Sequence, residues 1–198
     1  SLDEIKRILG DIRRDGLRAS DVIRHVRALV QKREFDPVKV DANALVSSVS
    51  ALLKPEAGRR RMTITVVLPT RSCHVLGDPA LLEQVLINLV LNAMDALETQ
   101  TQDAKHDGYA PVLMEVSVSD HDEVEIRVTD AGPGIPAERL AHLFDSFYTS
   151  KEHGMGLGLS IARSIVEKHG GRIVAQNNRD KGATFRLLLP PHPERTAA

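Results

Sequence analysis

The chain has 198 residues, of which 42% are hydrophobic, 27% charged and 3% aromatic, and its formal net charge is −1 at pH 7. This composition is typical of one globular domain with an appendage, and the intermixed charges and lack of tryptophan argue against a nucleic-acid partner. The single cysteine, Cys73, excludes a disulfide framework and is expected in the core. The sequence shows no signal peptide and no apolar run near the ~18 residues of a membrane span, which predicts a cytoplasmic location.

Residues 1–35 are predicted to form a separate segment, a single long helix that ends before Pro37. Apolar residues recur at three- and four-residue steps from Leu2 to Leu29, with charged residues between them, which is typical of an amphipathic helix over residues 1–34. A helix of that length spans roughly 50 Å, so it is expected to pack against another helix. Since no later segment matches its length, an intermolecular helical bundle is favoured.

Between residues 36 and 190 strands and helices are intermixed, and residues 191–198 are a Pro-rich tail that is predicted to be disordered. This order predicts an α+β domain, a two-layer α/β sandwich in which helices cover one face of a single mixed sheet. Strands are predicted at 38–40, 62–68, 73–76, 112–119, 123–130, 172–176 and 184–189, helices at 43–53, 78–98 and 157–169, and a polar loop at 100–110.

The helix predicted at 78–98 carries a polar stripe. Gln84, Asn88, Asn92 and Asp95 follow one another at i, i+4, i+8 and i+11, so at 100° per residue they share one side of the helix. Because asparagine is a mediocre helix former, a functional role is favoured over the alternative of an ordinary solvated face. Amide and carboxyl oxygens are ligands that suit Mg²⁺ shared with the phosphates of a nucleotide.

A second candidate feature is the acidic residue at the end of a predicted strand. Asp130 has the same parity as the apolar residues of that strand, so its carboxylate faces the core and requires hydrogen-bond donors. Gly132 and Gly134 then remove side chains and allow a ligand to approach the backbone closely. A planar base with an exocyclic amino group would supply the donor. The alternative is that Asp130 only caps its own turn.

Three glycines, Gly154, Gly156 and Gly158, alternate at the start of a predicted helix. They are not the dinucleotide fingerprint, because Leu159 stands where that pattern requires glycine, and no Walker sequence is present. They lie between a mobile-looking segment that ends at Lys151 and the helix N-terminus, an arrangement that suits a lid closing over phosphates. Lys151 would add a cation to this site, and the alternative is a solvated lysine.

Together, five motifs resemble the ATP-binding domain of sensor histidine kinases, within the superfamily shared with DNA gyrase B, the heat-shock chaperone ATPases and MutL. The resemblance covers about residues 40 to 190, and the run GMGLGLSIARSIVEKHGGRI is similar to the sensor kinases for oxygen, nitrogen and dicarboxylates. The motifs are NLVLNAMDA (88–96) for the N box, DAGPGIP (130–136), GMGLGL (154–159) and GATF (182–185) for the three glycine boxes, and LFDSFYTSK (143–151) for the F box.

The resemblance implies an α/β sandwich that binds ATP with Mg²⁺. Asp130 would accept a hydrogen bond from the adenine amino group, Thr184 would lie near the adenine, and Asn88 and Asn92 would hold Mg²⁺ and the phosphates. Catalysis would rest on Asn88, Asn92 and Lys151, and the implied nucleotide-binding set also includes Asp95, Gly132, Gly134, Ile135, Phe147, Gly154, Gly156, Leu157, Gly158 and Leu159.

The resemblance also bears on the destination of the phosphate. The gyrase and chaperone relatives carry a Glu one helical turn before the Mg²⁺-binding Asn, where this chain has Asn88, which cannot act as a base. This favours transfer of the γ-phosphoryl group to a histidine, since a neutral imidazole needs little activation. None of His25, His121 and His153 has the family's acceptor context, and residues 1–34 resemble only the second helix of a dimerisation hairpin.

The predicted function is therefore the catalytic half of a protein-histidine kinase, which binds ATP but does not autophosphorylate by itself. The resemblance implies as partners a phosphoacceptor histidine helix, a cognate response regulator and a second copy in the full-length protein, located in the cytoplasm or anchored at the inner membrane. The alternatives are an ATP-driven conformational clamp, which would release free phosphate slowly, and a binding module that has lost activity. Asp95 replaces a Lys of some members, and its charge would weaken triphosphate binding unless Mg²⁺ compensates.

Overall fold

The computed structural model describes residues 37–101, 110–148 and 156–192, together with Glu4. The predicted N-terminal helix, most of the polar loop and the end of the predicted tail therefore lie outside the described residues. From Pro37 onward the described residues form seven strands and four helices. These are β1 (Val38–Asp41), α1 (Ala42–Arg59), β2 (Met62–Val67), β3 (His74–Gly77), α2 (Pro79–Thr101), β4 (Ala110–Val118), β5 (Val124–Thr129), α3 (Ala137–Leu140), α4 (Gly158–Lys168), β6 (Arg172–Asn177) and β7 (Ala183–Leu189).

The order of the elements agrees with the prediction, with two differences in the helices. α1 continues past Pro55 to Arg59, because Ala57 is buried in the core and Glu56 pairs with Arg60 one turn later. The short helix α3 was not predicted, since four residues are too few to show a helical period.

Five strands form one mixed sheet in the order β2-β4-β5-β7-β6. β2 and β4 are parallel, and the other neighbours are antiparallel. The predicted mixed sheet is thus confirmed, but the expectation of a single sheet is wrong, because β1 and β3 pair only with each other among the named strands. This small second sheet lies at the start of α1 and α2.

Helices α1, α2 and α4 pack on one face of the large sheet, as predicted. Alternate residues of the strands, such as Met114, Ile126 and Leu187, are fully buried against the apolar faces of these helices. The opposite face carries ion pairs between neighbouring strands, including the pair of Glu125 with Arg186. The two layers therefore follow from the period-two alternation of the strands.

The apolar character of α2 corrects one expectation from the sequence. By length and composition, the segment Pro79–Glu98 is suited to crossing a membrane, although the sequence analysis found no run near that length. Leu86, Leu89 and Met94 of this helix are fully buried in the core of the domain. The apolar face of α2 is thus occupied by the sheet and the neighbouring helices.

The N-terminus of α2 is tied to the C-terminus of α4 through a buried histidine. The Oδ1 atom of Asp78 accepts from the backbone N–H of Ala80 at 2.9 Å, which confirms the predicted N-cap. His169 Nε2 accepts from the backbone N–H of Asp78 at 3.0 Å, while its Nδ1 lies 2.7 Å from the carbonyl oxygen of Ile165. A Cβ atom at Gly77 would lie 2.5 Å from the His169 ring. The imidazole therefore bridges the two helices that flank the predicted site.

Replacing His169 by alanine is expected to lower the free energy of unfolding by about 3 kcal/mol, because the buried N–H of Asp78 loses its acceptor and the ring leaves a cavity. Urea denaturation followed by circular dichroism measures this loss. His121→Ala, in the exposed turn between β4 and β5, is the matched control and is expected to change stability by less than about 0.5 kcal/mol. Equal stability of the two variants would contradict the bridging role.

Candidate functional site

Two backbone segments approach α2 closely at positions where the sequence has glycine. A Cβ atom at Gly132 would lie 3.1 Å from the Cβ of Ala96, and one at Gly158 would lie 2.5 Å from Oδ1 of Asn88. The turn after β5 and the first turn of α4 are therefore both packed against the polar side of α2. The glycines are required here for close approach rather than for flexibility.

Asp130 lies at the end of β5 and is only 5% exposed. Its Oδ1 atom accepts from the backbone N–H of Gly132 at 2.8 Å and, at 3.4 Å, from that of Ala183. Burial raises the pKa of this carboxyl group, although the two N–H groups act in the opposite direction. Oδ1 thus caps the turn that follows Asp130, as the alternative interpretation predicted. The described residues supply no donor to Oδ2.

Asn88 on α2 is a half-buried residue whose side-chain nitrogen has unmet hydrogen bonding. Its Nδ2 atom is inaccessible to solvent and has no hydrogen-bond partner, and the described residues form no hydrogen bond with either end of the carboxamide. Asn92 follows one turn later and is partly buried. Because an unpaired buried amide costs about 1–3 kcal/mol, the site is suited to a ligand that supplies the missing partner.

Asp95, the last member of the polar stripe, forms an ion pair with the end of α1. Arg60 Nη1 donates to Asp95 Oδ1 at 2.7 Å, and Arg60 Nε donates to Glu56 at 2.6 Å. From the sequence, the charge of Asp95 is expected to weaken triphosphate binding unless Mg²⁺ compensates. In the structure a guanidinium group already lies beside it.

The two ends of the glycine-rich segment before α4 meet at a short backbone contact. The N–H of Phe147 donates to the carbonyl oxygen of Gly156 at 3.0 Å, and both residues have positive φ, 68° and 66°. The side chain of Phe147 is 74% exposed. Leu157 precedes α4 without a side-chain cap, and Leu159 packs against the core. Lys151 and Gly154 lie outside the described residues.

Sequence reasoning missed Asn177, the last residue of β6, and Asn178, the first residue of the turn before β7. Asn177 Oδ1 accepts from the N–H of Ile135, and its Nδ2 donates to the carbonyl oxygen of Ile135, each at 2.7 Å. Asn178 Nδ2 donates to the carbonyl oxygen of Asp130 at 3.0 Å. The only signal in the sequence was a run of turn-forming residues, which predicts a turn but not its distant partners.

The glycine-rich turns themselves explain why Asn177 reaches its partner. Gly134 has φ 79° and Gly182 has φ 86°, a region that side chains strongly disfavour. A Cβ atom at Gly182 would lie only 2.0 Å from the carbonyl oxygen of Asp130. The turn after β5 and the turn before β7 are therefore in direct contact.

Thr184 is the predicted site residue that the sheet does not bring to Asp130. It pairs with Thr129 across the β5–β7 ladder, and its hydroxyl oxygen lies 2.9 Å from that of Thr129 and 2.7 Å from Oδ1 of Asn178. Since side chains alternate along a strand, the Thr184 hydroxyl faces the side opposite to Asp130. Ala183 is the β7 residue on the face of Asp130.

Within the described residues, Asp130, Asn88 and the start of α4 come to one region of the domain, because Gly132 and Gly158 both pack on α2. The parts of this region are a buried carboxylate with one oxygen unused, an amide without a partner, and the N-terminus of α4, whose first N–H groups have no side-chain cap among the described residues. Helix N-termini of this kind bind phosphate groups. The arrangement defines the class of an ATP-binding α/β domain.

Comparison with known proteins identifies the family. Residues 77–193 match the family described as Histidine kinase-, DNA gyrase B-, and HSP90-like ATPase. The chain belongs to this family, and the resemblance inferred from its motifs is confirmed.

Several sensor kinases are similar to the chain in sequence. Sensor protein FixL of Bradyrhizobium diazoefficiens is 35% identical over 179 residues, which cover 90% of this chain and 34% of FixL. Sensor histidine kinase TmoS of Ectopseudomonas mendocina is 32% identical over 187 residues, covering 94% of this chain and 19% of TmoS. The chain thus spans about a third or less of these relatives.

Solved structures of histidine kinases share the fold. Histidine kinase ThkA in complex with the response regulator protein TrrA gives a TM-score of 0.75 at 26% identity, covering 96% of this chain and 52% of ThkA. Full-length ShkA in complex with AMPPNP gives a TM-score of 0.71 at 27% identity, covering 89% of this chain and 36% of ShkA. The predicted two-layer fold is thereby confirmed as that of histidine kinase catalytic domains.

Proposed function

We propose that this chain binds Mg²⁺–ATP in the cleft between α2, α4 and the turn after β5, and that it is the catalytic part of a sensor histidine kinase. The observation that carries the proposal is the unpaired carboxamide of Asn88, held against the uncapped start of α4. A phosphate oxygen at this point would accept the hydrogen bond that Nδ2 lacks, and Oδ1 of the same carboxamide is the kind of oxygen that binds Mg²⁺.

Asp130 is proposed to recognise the adenine. Its Oδ1 atom is held by Gly132 and Ala183, which fixes the carboxylate plane and leaves Oδ2 to accept from the exocyclic amino group. Gly132 and Gly134 would leave space for the base along the turn that leads to Ile135. Thr184 would then support the site from the opposite face of the sheet, where its hydroxyl group donates a hydrogen bond to Asn178.

Asn88 and Asn92 are proposed to hold Mg²⁺ together with the phosphates, an assignment that fits amide oxygens as ligands of this hard cation. When bound, Mg²⁺ supplies neutralisation of the phosphate charge. The N–H groups at Gly158 and Leu159 would bind phosphate oxygens, and Lys151, Gly154 and Gly156 are proposed to contact them from the glycine-rich segment. Asp95 is proposed to lie at the edge of this site, with its charge balanced by Arg60.

The chain is proposed to deliver the γ-phosphoryl group to a histidine rather than to water. Asn88 stands one turn before Asn92, and an amide cannot take a proton from water, so efficient hydrolysis lacks a base at this position. Positioning and charge neutralisation are sufficient for transfer to an imidazole. The acceptor helix, a response regulator and a second kinase copy are proposed as partners, in line with the ThkA–TrrA complex.

Calorimetric titration of ATP, ADP and GTP with and without Mg²⁺ tests the proposal. The wild type is expected to bind ATP but not GTP, with affinity raised by Mg²⁺ about tenfold, and to release little free phosphate. In Asn92→Ala this Mg²⁺ effect is expected to fall below about threefold, because one amide ligand is lost. Adenosine, which has no phosphates, is titrated as the internal control, and its binding should not change. Equal affinity for ATP and GTP, or steady phosphate release, would contradict the proposal.

A further inference from the structure

We propose that Asn177 is a positioning residue for the nucleotide, which holds the turn after β5 in its binding conformation. The inference rests on the proposed ATP site and concerns the last residue of β6, which lies outside the five motifs. Asn177 is 42 residues from Ile135, and both of their hydrogen bonds are 2.7 Å long. Hydrogen bonds with such geometry are strong and directional.

The Asn177 carboxamide pairs with Ile135 as a backbone peptide group would in a sheet. Its oxygen accepts and its nitrogen donates to one residue, so both polar backbone groups of Ile135 are fixed at once. The residue before it, Gly134, has φ 79°, and no side chain of the Gly-Pro-Gly sequence can form a hydrogen bond that would anchor this end of the turn. Two glycines leave many backbone conformations open, so the anchor selects one of them.

The neighbouring Asn178 makes different hydrogen bonds, so a substitution of Asn177 tests the role of Asn177 alone. Asn178 Nδ2 donates to the carbonyl oxygens of Asp130 and Lys181, and its Oδ1 accepts from Thr184. It therefore joins the end of β5 to β7 within the sheet. Asn177 is exposed, and its side chain bonds only to Ile135 among the described residues. Its loss would free the turn without removing core contacts.

The test compares Asn177→Ala with Gln176→Ala. Gln176 is an exposed carboxamide on the same strand and makes no hydrogen bond through its side chain among the described residues. Asn177→Ala is expected to weaken ATP, ADP and adenosine about tenfold and equally, with or without Mg²⁺, because only the base-binding turn is freed. Its melting temperature is expected to stay within about 2 °C of wild type. Amide exchange measured by NMR should show loss of protection at Ile135.

Gln176→Ala is expected to bind all three ligands as the wild type does. Wild-type affinity in Asn177→Ala, or a loss of affinity that occurs only together with a lower melting temperature, would overturn the positioning role. A loss confined to ATP with Mg²⁺ would overturn it as well, since the contact would then serve the phosphates. Failure of the wild type to bind any adenine ligand would instead refute the proposed ATP site itself, and this inference with it.

Discussion

The Asp130→Asn variant is expected to lose ATP binding by more than about 100-fold while its ligand-free form is at least as stable as the wild type. The amide retains an oxygen for the N–H groups of Gly132 and Ala183, but it presents an NH₂ group where the adenine amino group needs an acceptor. A site built to accept a hydrogen bond discriminates strongly when the acceptor is lost.

The difference in stability between Asp130→Asn and the wild type is expected to increase with pH. Burial raises the pKa of the Asp130 carboxyl group in the folded state, more than the N–H groups of Gly132 and Ala183 lower it. The folded state thus favours the neutral carboxyl group. Its contribution to the free energy of unfolding is fully present below the carboxyl pKa of the unfolded chain. It is lost as the pH rises through the raised pKa of the folded state. Asparagine stays neutral, so the variant's advantage should grow as the pH rises above about 4 and level off above the raised pKa.

Calorimetry with ATP and urea denaturation across this pH range check the two halves of the prediction. Asp120→Asn, in the exposed turn between β4 and β5, is the matched carboxylate control and should change neither binding nor the pH profile. Unchanged ATP affinity in Asp130→Asn would remove Asp130 from the site. A stability difference that shrinks towards neutral pH would contradict the effect of burial.

Gly182→Ala is expected to have the largest effect on the fold, a loss of more than about 3 kcal/mol in the free energy of unfolding. Gly182 has φ 86°, where an L-residue pays roughly 1–2 kcal/mol. The new Cβ would lie 2.0 Å from the carbonyl oxygen of Asp130, a backbone atom that Asn178 also holds. Relief of this overlap requires the end of β5 to separate from β7, so ATP binding should be lost as well.

Gly58→Ala is the matched control for this substitution. Gly58 lies on α1, and a Cβ atom there would meet nothing within 4 Å. Because alanine favours the helix, this variant should be more stable by about 0.5–1 kcal/mol. Thermal unfolding of both proteins gives the comparison. Similar melting temperatures would show that the turn relaxes without cost, and would contradict the close contact with Asp130.

Local patterns in the sequence predicted most of the fold. The period of α2 with its Asp78 cap and the alternation of β4 and β5 each reflect contacts within a few residues along the chain. The parity of Asp130 predicted its burial for the same reason. The five motifs also indicated the family, because their order and spacing reflect backbone turns that the family shares.

The sequence does not indicate the position of a side chain where the strand register or a distant partner decides it. Thr184 and Asp130 lie on strands paired through Thr129, and a sequence without known pairing does not reveal that Thr184 faces the other side. The pair of Asp95 with Arg60 spans 35 residues. The bonds of Asn177 and Asn178 likewise join segments that no local pattern connects.

The order of strands has a consequence for synthesis of the protein. β7 lies between β5 and β6 in the sheet, although it is the last strand of the chain. Asp130 receives its N–H partner from Ala183 and donates its own N–H to the carbonyl oxygen of the same residue at 3.0 Å. A nascent chain that has emerged only through β6 therefore has every predicted ligand of ATP except Thr184, yet lacks the strand that shapes the base pocket. Nucleotide binding during translation would thus mark the completed domain.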